Sequence, residues 1–206
     1  MSLDGVVAGP QQGPDHPLGV GGERLHDWMR ELAVWRRAAG LDGGIENAST
    51  AVFEAEDEGV GAIIMGRGMF GGPSGPWTEP LWSGWWGPNP PFHLPVVVLT
   101  HHPRDPLTCE GGTTFTFVTE GLTAALAAAR ERAGDLDVAI AGGGSVAKQF
   151  LAAGLVDRLD IHLVPLIMGA GVRLFDGPIH GQRLQRLSVI DAPGVTHLRY
   201  RLTKPS

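Results

Sequence analysis

The chain has 206 residues, 43% of them hydrophobic and 18% charged, and a formal net charge of −6. That profile is globular and excludes a disordered chain, while the acidic balance argues against a sequence-independent nucleic-acid binder, which needs a basic face. No apolar run approaches the ~20 residues that cross a bilayer and no signal peptide opens the chain; the single cysteine, Cys109, rules out an internal disulfide and fits a reducing, cytoplasmic setting.

Met1-Ser-Leu-Asp-Gly5 leads into Val6-Val7-Ala8-Gly9-Pro10 and a Gly/Pro/Gln loop through Gly22, and a strand feeding Ser2 is expected upstream of the numbering. Residues 23–38 carry Leu25, Trp28, Met29, Leu32 and Trp35 near helical spacing, which predicts one amphipathic helix. Beyond Gly43-Gly44, Asn47 or Ser49 can cap a second helix running to Glu58, with Val52 and Phe53 inward. Its acids Glu54, Glu56, Asp57 and Glu58 read as a solvated face. Gly61-Ala-Ile-Ile-Met65 is a buried strand, followed by Gly66-Arg67-Gly68.

Residues 71–94 form a loop rich in Gly, Pro and Trp, long enough to be functional or a cover. Its Trp77, Trp82, Trp85 and Trp86 suit packing or a dimer contact; a flat wall for a ring-shaped substrate is the alternative. Pro95 to Thr100 is a second apolar strand, ending in His101-His102-Pro103-Arg104. Thr113 to Thr119 reads as a strand, residues 121–133 as an alanine-rich helix, and Arg158 to Val164 as a strand with Leu159, Ile161 and Leu163 on one side. Leu184–Ile190 and Val195–Thr203 flank Asp191-Ala-Pro-Gly194 as a closing hairpin.

One stretch organises the rest: Asp137-Val-Ala-Ile-Ala-Gly-Gly-Gly-Ser-Val-Ala-Lys-Gln-Phe-Leu151. An apolar strand runs into a turn stripped of side chains by Gly142, Gly143 and Gly144, and Ser145 can cap the helix that follows. Free N–H groups and a helix N-terminus there suit a phosphate; a plain tight turn is the other reading. Helices alternating with buried strands, then a hairpin, predict a single α/β domain over residues 1–206. The expected architecture is a three-layer α/β/α sandwich, mostly parallel, with antiparallel strands at the C-terminal edge. Ligands in such sheets sit beyond the carboxyl ends of strands, and four ends carry candidate chemistry: Ser2-Asp4, Gly66-Arg67, Thr100-Arg104 and Gly142-Ser145.

Ser2-Leu-Asp-Gly5, Leu25-His-Asp-Trp28, Gly61–Arg67, Leu99–Arg104, Ala141–Ser145 and Gly154–Phe175 occur in an order and spacing that resembles the dihydrofolate reductase-like family, including the C-terminal reductase domain of bifunctional riboflavin-biosynthesis proteins. The similarity covers nearly the whole chain. It implies NADPH as cofactor, with Gly142, Gly143, Gly144 and Ser145 on the pyrophosphate and Gly66, Arg67 and Gly68 as a second cradle. Thr100, His101, His102 and Arg104 would surround the 2′-phosphate, for which a planar guanidinium fork is suited. Gly68-Met69 stand where the family carries a bulkier residue and then Thr.

The resemblance places Asp4 beside the nicotinamide, to orient the carboxamide or to hold a proton if burial raises its pKa; an Asp-Gly turn is the plain alternative. His26 and Asp27 open the helix that lines the substrate cleft, or are solvated first-turn residues. The eight histidines are scattered, and His101-His102 diverge on an extended segment, so no metal is expected. His162 reads as a paired core or edge residue. The implied activity is an NADPH-dependent reductase of a small flat heterocycle, such as a ribosylaminopyrimidine phosphate of the riboflavin pathway, in a homodimer. An NADP(H)-binding sensor without turnover, dihydrofolate reduction, and another α/β enzyme acting on a phosphorylated substrate are the rival readings.

Overall fold

Short apolar runs become strands at Val6–Ala8, Val60–Gly66 and Pro95–Leu99 of the structure, a computed structural model describing all residues except Pro14, Asp57, Pro73, Ser74, Pro178, His180, Gly181 and 204–206. In chain order the elements are β1 (Val6–Ala8), α1 (Asp27–Arg30), α2 (Ala33–Ala38), α3 (Ala48–Glu54), β2 (Val60–Gly66), α4 (Arg67–Phe70), β3 (Pro95–Leu99), β4 (Leu107–Thr108) and β5 (Thr114–Val118). There follow α5 (Leu122–Ala133), β6 (Asp137–Gly142), α6 (Gly144–Ala152), β7 (Arg158–Leu163), β8 (Val172–Arg173), β9 (Arg183–Ala192) and β10 (Val195–Thr203). Two compact units form. One comprises Met1–Gln12, Leu18–Glu58 and Phe150–Ser206; the other comprises Gly13–Pro17 and Gly59–Gln149.

The Gly59–Gln149 unit holds a five-stranded sheet in the order β4-β5-β3-β2-β6. All its pairings are parallel except that of β4 with β5. β2 is buried along its full length, because neighbours flank it on both sides and both faces are covered. Buried Ala125, Ala129 and Ala133 bring α5 close to the sheet. Val60, Ile63, Met65, Phe70, Val96, Val98 and Phe115 form the core, each fully buried side chain contributing roughly 1.5–3 kcal/mol of transfer free energy. Trp77, Trp82, Trp86 and Phe92 pack against that core, so the long loop is a cover held down by its aromatics.

The other unit holds the antiparallel sheet β7-β10-β9 and the pair β1-β8. Ser2 makes a parallel bridge to Val164. Trp28, Leu32, Val164 and Val195 form its core, with Met29, Val34, Trp35 and Phe53 packed around them. The structure is thus mixed α/β, with a mostly parallel sheet and an antiparallel C-terminal hairpin sheet, as the alternation of elements predicts. The expected single sheet is instead hydrogen-bonded as sheets of five, three and two strands.

Three expectations are corrected. The helix over 23–38 is broken into a 3-10 turn at Gly22–His26, α1 and α2. Leu32 is extended, with φ −68° and ψ 136°, fully buried and bridged to Ile45. Ala33 N–H donates to the Ile45 carbonyl and Ile45 N–H to the Glu31 carbonyl, each at 2.9 Å. A pairing partner outside the window thus overrides helical periodicity. The second helix stops at Glu54 rather than Glu58. Asn47 caps it: its side chain accepts from Ser49 N–H at 2.7 Å while Thr50 Oγ1 accepts from Asn47 N–H at 3.1 Å. Glu56 is not simply solvated, since it lies 2.9 Å from His162 Nε2; Asp57 falls outside the described residues. Among the described residues no helix is long and apolar enough to cross a membrane.

Candidate functional site

β3, β2 and β6 are neighbours and parallel, so their carboxyl ends leave the sheet side by side. Gly66 pairs with Leu99 on one side, and Met65 with Gly142 on the other. Three chain reversals, Gly66-Arg67-Gly68, Thr100–Arg104 and Gly142–Ser145, therefore share one edge of one sheet. At Gly66 a Cβ would come within 2.7 Å of Val146 Cγ2, so glycine is what lets α6 approach the end of β2. Gly142 has φ 139°, a conformation that disfavours a side chain, and its peptide bond to Gly143 is cis. Nothing lies within 4 Å of a Cβ built on Gly143 or on Gly68, so open space fronts both turns. α6 begins at Gly144, which puts Ser145 inside its first turn and not at the N-cap. The Gly143 carbonyl accepts from Val146 N–H at 3.0 Å and Ala147 N–H at 3.2 Å.

The Thr100 turn is fixed from within. Thr100 is buried and its Oγ1 accepts the His102 N–H at 3.2 Å; His101 is exposed and His102 half-buried. Both arginines at this edge are engaged with the tryptophan loop. The Arg67 Cζ lies 3.4 Å from the Trp77 ring centroid and the Arg104 Cζ 4.8 Å from it. Arg67 Nη1 donates to the Gly71 carbonyl and Arg104 Nη1 to the Trp82 carbonyl. The Trp77 Nε1 donates to the His102 carbonyl at 3.0 Å. Burial pushes the pKa of both guanidinium groups down, and the Arg104 charge adds to the effect on Arg67. Such shifts leave an arginine charged at neutral pH.

Asp4, His26 and Asp27 belong to the other unit. The Asp4 carboxylate accepts from Met168 N–H at 3.0 Å, Gly169 N–H at 2.9 Å and the Ser2 hydroxyl at 2.7 Å. Arg173 Nη2 lies 3.4 Å from it. The Met168 N–H first, then the Ser2 hydroxyl, hold its pKa far below the usual carboxylate range. The shift is opposite to the rise that holding a proton at neutral pH would require. His26 is half-buried; burial lowers its pKa, and its Nδ1 is out of solvent without a well-formed hydrogen bond. Asp27 is exposed at the start of α1.

Periodicity missed a relay in the same unit that runs from buried Ser49 and His197 out to half-buried His162 and exposed Glu56. Ser49 Oγ lies 2.9 Å from His197 Nε2, His197 Nδ1 lies 2.7 Å from His162 Nδ1, and His162 Nε2 lies 2.9 Å from Glu56. The partnership is long-range, and the pairing of β7 with β10 supplies it. An open depression of about 430 Å³ is lined by Ser83, Gly87, Pro88, Leu107, Thr108, Cys109 and Glu110. None of the three reversals lines it, and burial pushes the Cys109 thiol pKa up, away from a reactive thiolate.

No curated protein matches the sequence. Among solved structures, a protein named for riboflavin biosynthesis from Shewanella sp. PV-4 is similar at 19% identity and a TM-score of 0.60, over 99% of this chain and 96% of that one. RibD of Acinetobacter baumannii (form 1) is similar at 17% identity and a TM-score of 0.54, over 98% of this chain. A Thermotoga maritima diaminohydroxyphosphoribosylaminopyrimidine deaminase/5-amino-6-(5-phosphoribosylamino)uracil reductase is similar at 14% identity and a TM-score of 0.53, also over 98% of this chain. The chain spans 56% and 54% of those last two proteins. At such identities the likeness is one of fold. The model of the RibD C-terminal domain matches residues 1–197, and the chain belongs to that family.

Proposed function

We propose that the chain is an NADPH-dependent reductase that delivers hydride to a small flat heterocycle, of the ribosylaminopyrimidine phosphate class that the family's association with riboflavin biosynthesis suggests. One observation carries the reading: three reversals, two of them glycine-rich and two carrying arginine, lie side by side at the carboxyl edge of a parallel sheet. The residues present fit a dinucleotide. Open space before Gly143 and Gly68 would admit a phosphate close to the backbone, and the two arginines supply positive charge beside it.

NADPH, when bound, supplies the hydride; the chain supplies orientation and electrostatics. Gly142, Gly143, Gly144 and Ser145 hold the pyrophosphate, assisted by Gly66, Arg67 and Gly68. Thr100, His101, His102 and Arg104 take the 2′-phosphate. His26 and Asp27 are assigned to the substrate. Asp4, with its oxygens bound to Met168, Gly169 and Ser2, shapes the segment that includes Met168 and does not carry the proton. That same observation favours a second reading, binding without turnover, because the most plausible acid of the sequence is already committed. The exposed Leu184, Leu187, Val189 and Ile190 on β9 support a homodimer as part of the proposal.

Titrating NADPH and NADH into the protein tests the first reading. Arg104→Ala is expected to weaken NADPH roughly 10- to 100-fold, the size of a lost charge-assisted hydrogen bond, and to leave NADH nearly unchanged. Equal losses would refute the 2′-phosphate assignment. Oxidation of bound NADPH by a ribosylaminopyrimidine phosphate separates the reductase from the sensor.

A further inference from the structure

We propose that Trp77 is a positioning residue that sets Arg67 and Arg104 as a single paired clamp for a phosphomonoester, and so fixes which dinucleotide the protein prefers. The inference rests on the preceding reading but gives both arginines to one phosphate, and it names a residue of the cover loop as what organises them.

Arg67 follows β2 and Arg104 follows β3, adjacent strands in the sheet. Their guanidinium carbons lie 3.4 Å and 4.8 Å from the same indole ring. That ring is itself tied to the β3 turn through Nε1 and the His102 carbonyl, 3.0 Å apart. Phe70 and Phe117 stand nearly perpendicular to it, with ring centroids 5.9 Å and 5.3 Å away, so the core helps set its plane. An indole is the strongest aromatic partner for a cation, and a guanidinium held on a ring loses less freedom when it meets an anion.

Two like charges in a half-buried place repel: burial lowers the pKa of both groups, and at Arg67 the Arg104 charge lowers it further. Glu79, on the same loop, offsets part of this at Arg104. A phosphomonoester carries close to two negative charges at neutral pH, which suits a pair of cations better than the single charge on each phosphate of a pyrophosphate diester. Arg104 commits one of its five donors to the Trp82 carbonyl and retains a fork for an oxyanion.

The test measures binding of adenosine 2′,5′-bisphosphate, adenosine 5′-monophosphate, NADPH and NADH to the full chain and its variants by calorimetry. Wild type is expected to prefer the bisphosphate and NADPH. Trp77→Leu should reduce that preference at least tenfold, mainly by weakening the 2′-phosphorylated ligands. Trp77→Phe, which keeps an aromatic face, should restore most of it. Trp86→Leu, at a ring packed on Phe92 and Phe115, should lower stability without changing the preference. If Trp77→Leu weakens all four ligands equally, or Trp86→Leu reduces the preference as much, the loop matters only as packing and the proposal is overturned. A wild type indifferent to the 2′-phosphate also overturns it. A wild type that prefers the bisphosphate yet binds no nicotinamide dinucleotide keeps the clamp and removes the reductase reading.

Discussion

Asp4 illustrates how an acidic side chain near a strand end can be structural. Two backbone N–H groups, a hydroxyl and an arginine converge on it, and hydrogen bonds to the charged form favour that form. Asp4→Asn is therefore expected to lower the thermal midpoint by several degrees while leaving the pH dependence of any turnover in place. Loss of turnover at unchanged stability would return a chemical role to this carboxylate. The arginines teach the converse lesson. A charge in a proposed binding site is useful only when held, and here Trp77 and two loop carbonyls hold both.

Between elements, the Ser49–His197–His162–Glu56 relay ties α3 and the turn after it to β7 and β10. Neutral rings satisfy it with every proton pointing one way, from the serine hydroxyl toward the glutamate. Trp28 closes over both imidazoles at 5.1 Å and 5.0 Å. His197 is 5% exposed; burial first, then the His162 ring, lower its pKa to about 4, with Glu56 opposing. In the unfolded chain an imidazole titrates near ~6.5, so as pH falls the unfolded state takes up this proton before the folded state does. Stability is then full above about pH 6.5 and declines toward pH 4, by on the order of 2–3 kcal/mol. Urea unfolding across that range measures it, and His197→Asn should flatten the slope. A wild-type midpoint constant between those values would contradict the relay.

For the whole molecule, the exposed apolar residues of β9 are the surface on which the proposed dimer rests. Leu184, Leu187, Val189 and Ile190 are each between 37% and 48% exposed along an edge strand, a liability that proteins cover or blunt. A second copy of the chain is the proposed occupant. Sedimentation at micromolar concentration is expected to show twice the 21.8 kDa chain mass, and Leu187→Asp to shift it toward monomer. A wild-type monomer there would refute the dimer.

The short apolar runs 61–65 and 95–100 announce β2 and β3, because a strand buried on both faces needs an unbroken apolar string; the run 138–141 suggests the same for β6, which instead ends the sheet with every residue exposed or half-buried. The three reversals were legible for the same reason: glycine and arginine interrupt those strings abruptly. Breakage at Leu32 was not, since its cause is Ile45, outside any helical window. Nor was Glu56 as a partner of His162, which stands 106 residues later and reaches it only through the fold.

The sequence by itself determined the alternation of elements, the glycine turns and the family resemblance, all of which rest on local pattern. Tertiary structure alone decided that β3, β2 and β6 lie adjacent, that Asp4 is spent on backbone amides and that one indole stands against two arginines. Those facts depend on strand order and side-chain approach over long separations, which residue spacing does not encode.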